Sequence, residues 1–194
     1  MKPLDSSYWD GLYLSKQTGW DIGYASPSIV EYFKQITDKT IKILIPGAGN
    51  AWEAEELWKM GFKQVYILDF SVEAVSAFQN RVPAFPKSQI IIDDFFQHSG
   101  DYDFIIEQTF FSSLKTNLRE SYVKQVYDLL KPQAKLIGLL FNHLFTFTGP
   151  PFGGTPQEYQ ELFSTYFHFQ IFDIAYNSIK PRKNREHFLL FIKK

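Results

Sequence analysis

The segment Lys42 to Leu57, KILIPGAGNAWEAEEL, runs from an apolar stretch into a glycine pair, Gly47 and Gly49, and then into a helical pattern. That order is the shape of a nucleotide-binding turn. A dinucleotide turn carries a third glycine, G-x-G-x-x-G, so that the helix can approach the strand and its amino terminus can receive a pyrophosphate. Here Trp52 holds the third position, and Glu53, Glu55 and Glu56 follow it. Carboxylates in the first helical turns suit the helix dipole but repel a diphosphate. No Gly-Lys-Ser/Thr follows the glycines, which also excludes a Walker-type loop. What remains is a nucleoside that brings positive charge and no phosphate. S-adenosylmethionine, with an ammonium and a sulfonium, meets both conditions, with Gly47 and Gly49 admitting its amino-acid end and Glu53 facing it.

Other polar residues fall where such a ligand needs them. Asp69 ends the next apolar run about twenty residues after the first glycine, the place from which an acidic side chain reaches ribose hydroxyls in open α/β sheets. Asp69 or Ser71 could equally cap the following helix. Asp93 and Asp94, followed by Phe95 and Phe96, combine an acceptor for an adenine amino group with an apolar wall. Phe70, Asp94 and Phe95 are accordingly candidate cofactor contacts. Glu107 and Gln108 end the fourth run, at the sheet edge where ligands bind. His143 is the one histidine placed to act as a base, although a loop histidine satisfied by backbone reads equally from the sequence. The basic run KPRKNR reads as a solvated hairpin turn.

The elements that must position these residues alternate. Strands are expected at Ile41–Pro46, Gln64–Phe70, Ser88–Phe96, Asp103–Glu107 and Ala134–Phe141, with helices near Ala51–Met60 and Val72–Asn80 and a long one stopped by Pro132. Near-continuous apolar strands separated by helices predict a parallel sheet covered on both faces. His168–Asn177 and Glu186–Lys194 are too close in sequence for a crossover and must pair antiparallel.

The composition bounds the rest. A chain of 194 residues is long enough for one domain with a sizeable core and short for two. A net charge of −1 gives no electrostatic drive toward nucleic acid. Twenty phenylalanines exceed simple core filling, so some rings are expected to line a pocket. The absence of cysteine removes thiolate metal sites and cysteine nucleophiles, and no metal site is expected. Without a signal-like leader or a bilayer-length apolar run, the expectation is a cytoplasmic protein with no membrane or nucleic-acid partner. Nothing in the sequence requires more than a monomer.

With these residues in view, the chain resembles the class I S-adenosylmethionine-dependent methyltransferases, and among them the thiopurine S-methyltransferase family with its halide and thiol methyltransferase branch. The resemblance rests on four segments in order. YWDGLYLSKQTGWDIGYASP is similar to that branch's aromatic segment, with Trp9, Tyr13 and Trp20 on its spacing. LIPGAGNAWEAEEL resembles the family's Pro-Gly-Cys-Gly turn, with Ala48 in place of Cys. EQTFFSSL resembles Asp-Tyr-x-Phe-Phe-Cys-Ala, with Glu107 for Asp and Gln108 where the halide branch has Tyr and the thiopurine branch Arg. GPPF, Gly149 to Phe152, matches Gly-Pro-Pro-Phe/Tyr.

The resemblance implies a Rossmann-like α/β fold in one domain over 1–194, with helices on both faces of a seven-stranded, mostly parallel sheet and an antiparallel last strand. It implies an amino-terminal aromatic lid and helix over 1–38, with Trp9, Tyr13 and Trp20 closing on the cofactor. It also implies a substrate side formed by Gln108, Phe110, Phe111 and Phe152. The expected activity is methyl transfer to a small thiol, thiopurine, halide or thiocyanate, leaving S-adenosylhomocysteine. Two other readings are an oxygen or nitrogen acceptor served by a base, and a non-catalytic cofactor-binding protein. No catalytic residue is assigned, because an anionic nucleophile needs positioning and desolvation rather than a base.

Overall fold

The computed structural model describes residues 3–194. Its centre is β1 (Lys42–Pro46), which pairs in parallel with β2 (Gln64–Asp69) on one side and β4 (Tyr102–Gln108) on the other. β3 (Ile90–Ile92) extends the sheet beyond β2, and β5 (Leu130–Phe141) lies parallel to β4. β7 (Glu186–Lys193) runs antiparallel to both β5 and β6 (Phe167–Ile174). The strand order is therefore β3-β2-β1-β4-β5-β7-β6, with β7 reversed.

The apolar runs explain this arrangement, because both faces of each central strand are buried. Ile43 and Ile45 face a layer formed by α2 (Pro27–Lys34), α3 (Trp52–Lys59) and α4 (Val72–Arg81), where Phe33, Leu57 and Phe78 are buried. Leu44 faces the opposite layer, in which α6 (Arg119–Leu129) and α7 (Pro156–Ser164) bury Tyr122, Val126, Tyr159 and Phe163. Such strands cannot face water on either side, which is why they read as unbroken hydrophobic runs. Among the described residues no helix is long and apolar enough to cross a membrane.

Three local readings change. Pro132 does not stop a helix: α6 ends at Leu129, and Pro132 lies inside β5. The β4–β5 register jumps from Tyr102–Leu130 to Phe104–Lys135, so proline sits in a bulge where no ladder N–H is needed. The third strand keeps only Ile90–Ile92, because the Asp94 side chain accepts the Phe96 N–H (3.0 Å) and turns Phe95–Gln97 into a short 3₁₀ helix. The helix α7, absent from the sequence reading, begins with a capping box in which Thr155 and Glu158 satisfy each other's backbone N–H groups.

At the amino end, α1 (Ser6–Leu14) starts at Asp5, whose carboxylate accepts the Tyr8 N–H at 3.0 Å. It buries none of its residues fully. It lies across the carboxyl edge of the sheet, where the Asp10 carboxylate accepts from the Ser71 hydroxyl (2.6 Å) and the Glu73 N–H (3.3 Å) at the start of α4.

Candidate active site

The crevice outside β1 and β4 is where the connections diverge to opposite faces, and two cavities open there. The turn after β1 holds Gly47 and Gly49 at φ +56° and +54°, a region that glycine enters without strain. A Cβ on Gly47 would stand 2.1 Å from the Phe110 ring, and one on Gly49 would stand 2.6 Å from the Tyr13 hydroxyl. The expectation that these glycines open directly to a ligand is therefore revised. They admit two aromatic side chains that in turn line the larger cavity.

Asp69 joins two turns. Its Oδ2 accepts the Gly49 N–H (2.8 Å) and its Oδ1 accepts the Ser71 N–H (2.9 Å), while Ser71 itself caps α4 by accepting from the Ala74 N–H (3.1 Å). The capping role thus goes to Ser71. Asp69 lines the larger cavity, and burial raises its pKa against the opposing pull of these backbone donors. A carboxylate oxygen has more than one lone pair, so the two hydroxyls of a ribose could still be accepted.

The smaller cavity, about 60 Å³, lies beside the glycine turn and is lined by Asp21, Glu53 and Gln108 but by no lysine or arginine. Glu53 Oε1 accepts the Ser26 N–H at 2.9 Å, and burial raises its pKa. Gln108 Oε1 is buried with no donor among the described residues. An orphaned acceptor beside two carboxylates suits an ammonium group, since a buried polar atom without a partner is costly. Asp21 also pins the lid: it accepts the Trp52 indole N–H (2.7 Å), the Gly23 N–H (2.7 Å) and the Asn50 amide. Trp52, which replaces the third glycine, is sandwiched from its other side by the Arg81 guanidinium, 3.7 Å from the ring centroid.

The larger cavity, about 800 Å³, is electrically divided. Asp69, Asp93 and Asp94 lie at the end formed by β2 and β3, alongside Phe70, Phe95 and Phe96. Lys115, Arg182 and Arg185 lie at the other end, with Phe110, Phe141 and Phe145. Trp9, Tyr13 and Trp20 form the cover, with Trp20 edge-on to Trp9 (5.3 Å) and to Tyr13 (5.8 Å).

Several expected positions fall elsewhere. Glu107 does not reach either cavity: its side chain turns inward, accepting the Phe111 N–H (2.9 Å) and the Tyr122 hydroxyl (2.5 Å). Phe111 is 1% exposed and packs against Tyr122, Tyr159 and Phe163 in the core, so it is not a substrate contact. Phe152 lies outside both linings, its N–H donating to the Ser112 carbonyl at 2.6 Å. Gln108 lines the small cleft and not the larger cavity.

The KPRKNR run is not simply solvated. Arg182 is buried, donating to Glu186 Oε1 (3.2 Å) and to the Trp20 carbonyl (2.7 Å), and Arg185 borders the cavity. Lys115, Arg182 and Arg185 carried no signal in the sequence. They meet only because β7 is reversed and brings its first residue, Glu186, opposite Phe141 at the end of β5.

The fold and this division of acceptors define a Rossmann-like methyltransferase that uses S-adenosylmethionine. The chain belongs to the thiopurine S-methyltransferase family, whose sequence profile matches residues 4–189. It is 25% identical over 193 residues to the probable thiol methyltransferase 2 of Arabidopsis thaliana, covering 96% of this chain and 84% of that protein. It is 24% identical over 179 residues to a thiopurine S-methyltransferase of Vibrio parahaemolyticus, covering 84% and 83%. The 1,6-didemethyltoxoflavin-N1-methyltransferase of Burkholderia thailandensis, solved with S-adenosylhomocysteine, superposes with a TM-score of 0.77 at 13% identity over 100% of this chain and 92% of that one.

Glu107 yields a test of the floor beneath the site. Burial pushes its carboxyl up to about 7, so the folded state favours the protonated form. That contribution is complete below about pH 4.5, the ordinary value, and is lost as pH rises through about 7, a change of about 3 kcal/mol. Glu107→Gln keeps an acceptor for the Phe111 N–H and an amide that can donate to Tyr122. Its unfolding free energy should therefore gain on the wild type by about that amount between these pH values. Parallel curves in urea titrations across the window would contradict this account.

Proposed function

We propose that the protein transfers the methyl group of S-adenosylmethionine to a small acceptor that arrives as an anion, most simply a thiolate. The observation that carries this reading is the division of the cavity, acidic where the cofactor must lie and basic beyond it. Glu53, Asp21 and Gln108 would hold the cofactor's ammonium, Asp69 its ribose, and Asp94 with Phe70 and Phe95 its adenine. Bound there, the cofactor supplies an electrophilic methyl group on a cationic sulfur.

The protein's own contribution is placement and dryness. Trp9, Tyr13, Trp20 and Phe110 wall the cavity and exclude water, and an aromatic face beside a sulfonium is worth about 1 kcal/mol. No base serves the basic end. His143 is absent from the cavity lining, and its Nε2 faces the Arg185 guanidinium at 2.7 Å. Burial and that cation both pull the imidazole pKa down. An acceptor that ionises by itself near neutral pH removes the need for a base, and the thiol and thiopurine methyltransferases among the relatives agree with such chemistry. A cytoplasmic location belongs to the same proposal, supported by composition alone: a chain without cysteine gains no disulfide from an oxidising compartment.

Two measurements test this. Glu53→Gln retains an acceptor for Ser26 and removes the charge, so calorimetric affinity for S-adenosylmethionine should fall roughly ten- to a hundredfold, the value of one charge-assisted hydrogen bond. Unchanged affinity would remove Glu53 from the cofactor site. Methyl-labelled cofactor supplied with benzenethiols, a thiopurine, thiocyanate and iodide should label at least one acceptor. Across a series of thiols, the rising limb of kcat/KM should move with each acceptor's own pKa. A common midpoint for every thiol would show an enzymic base, and no labelling in the panel would sink the proposal.

A further inference from the structure

The three cations at the basic end are not equivalent. Arg182 has both Glu186 and the Trp20 carbonyl as partners and ties the lid to the β6–β7 connection. Among the described residues, no carboxylate lies within ion-pair distance of Lys115 or Arg185. Arg185 Nη2 meets only His143 Nε2. A guanidinium keeps its protons at any working pH, so arginine donates and the imidazole accepts, carrying its own proton on Nδ1. That contact orients the guanidinium and leaves its remaining donors free.

The backbone is held as well. The Arg185 N–H donates to the Arg182 carbonyl at 2.9 Å, and the Arg185 carbonyl accepts the Asn142 N–H at 3.0 Å, which fastens the loop to the end of β5. Beside the guanidinium stand Phe141 and Phe145, with ring centroids 5.1 Å apart, both on the cavity wall. Arg185 itself lies 6.0 Å from the Phe145 centroid. An oriented cation, unpaired with any carboxylate, at the rim of an aromatic slot is what a flat, apolar, anionic molecule requires.

The anion it reads is not the attacking one. Methyl transfer belongs near the glycine turn and Gln108, at the ends of β1 and β4. Arg185 precedes β7, two strands beyond β4, and strand spacing puts that about 10 Å away. A lone halide or thiocyanate could not occupy both places. We propose that Arg185, oriented by His143 and assisted by Lys115, selects an acceptor with an aromatic body and a carboxylate on the side opposite its nucleophilic sulfur. This inference rests on the sulfur-acceptor reading above only for the identity of the attacking atom.

The test is a binding comparison on protein saturated with S-adenosylhomocysteine, using para-mercaptobenzoate and para-methylbenzenethiol, which match in shape and differ in the remote charge. The wild type should bind the carboxylate at least tenfold more tightly. Arg185→Gln should abolish that preference while leaving the affinities for para-methylbenzenethiol and S-adenosylhomocysteine unchanged, and Arg185→Lys should restore part of it. Equal affinities in the wild type, a preference that survives Arg185→Gln, or equal weakening of both thiols would each overturn the proposal. A preference that requires Arg185, found without methyl transfer to either thiol, would support the anion subsite and count against the sulfur-acceptor reading.

Discussion

The Asp69 carboxylate accepts the Gly49 N–H on one oxygen and the Ser71 N–H on the other, and so holds the turn after β1 against the turn after β2. Burying a carboxylate is unfavourable unless donors surround it, and the two turns supply those donors because their N–H groups have no strand or helix partner of their own. The lid adds to the same junction, since Asp10 of α1 accepts from Ser71 and Glu73 at the start of α4. The floor and the cover of the cavity are thereby tied to one point. Tyr13 over Gly49 and Phe110 over Gly47 then find their places only because neither glycine carries a Cβ.

Strand order converts this local arrangement into a division of charge. β2 and β3 lie to one side of β1 and end in carboxylates, whereas β4, β5 and the reversed β7 lie to the other and bring Lys115, Arg182 and Arg185 to the same carboxyl edge. A cationic donor and an anionic acceptor meeting in such a cavity would each be drawn to its own end, and the low-dielectric aromatic walls would strengthen both attractions. Arg182 links the two halves, because the guanidinium that neutralises Glu186 also holds the Trp20 carbonyl of the lid.

How far the sequence foretold this depends on the range of the interactions involved. The glycine turn, Asp69 and the apolar strands were legible because each is encoded within a few residues: glycines where φ is positive, an acid at a strand end, unbroken β-branched runs. The reversed last strand was legible because the β6–β7 connection is too short for a crossover. Pro132 misled because its tolerance inside β5 depends on a bulge against β4, which is a tertiary fact. Glu107 and Phe111 were assigned to the site from their place at the sheet edge, yet Tyr122 of α6 draws both inward. Arg185 was taken as solvated because its partner His143 lies 42 residues away along the chain. Trp52 had a correct negative meaning, no phosphate, but its positive role as the donor to Asp21 was visible only in three dimensions.

The division of acceptors and cations along one cavity is most directly tested by a crystal structure of the protein with S-adenosylhomocysteine. The account predicts the amino group among Glu53, Asp21 and Gln108, the ribose hydroxyls on Asp69, and the thioether directed toward the space walled by Phe110 and bounded by Lys115 and Arg185. A ligand with its adenine among the cations, or with its amino group away from Glu53 and Gln108, would contradict it.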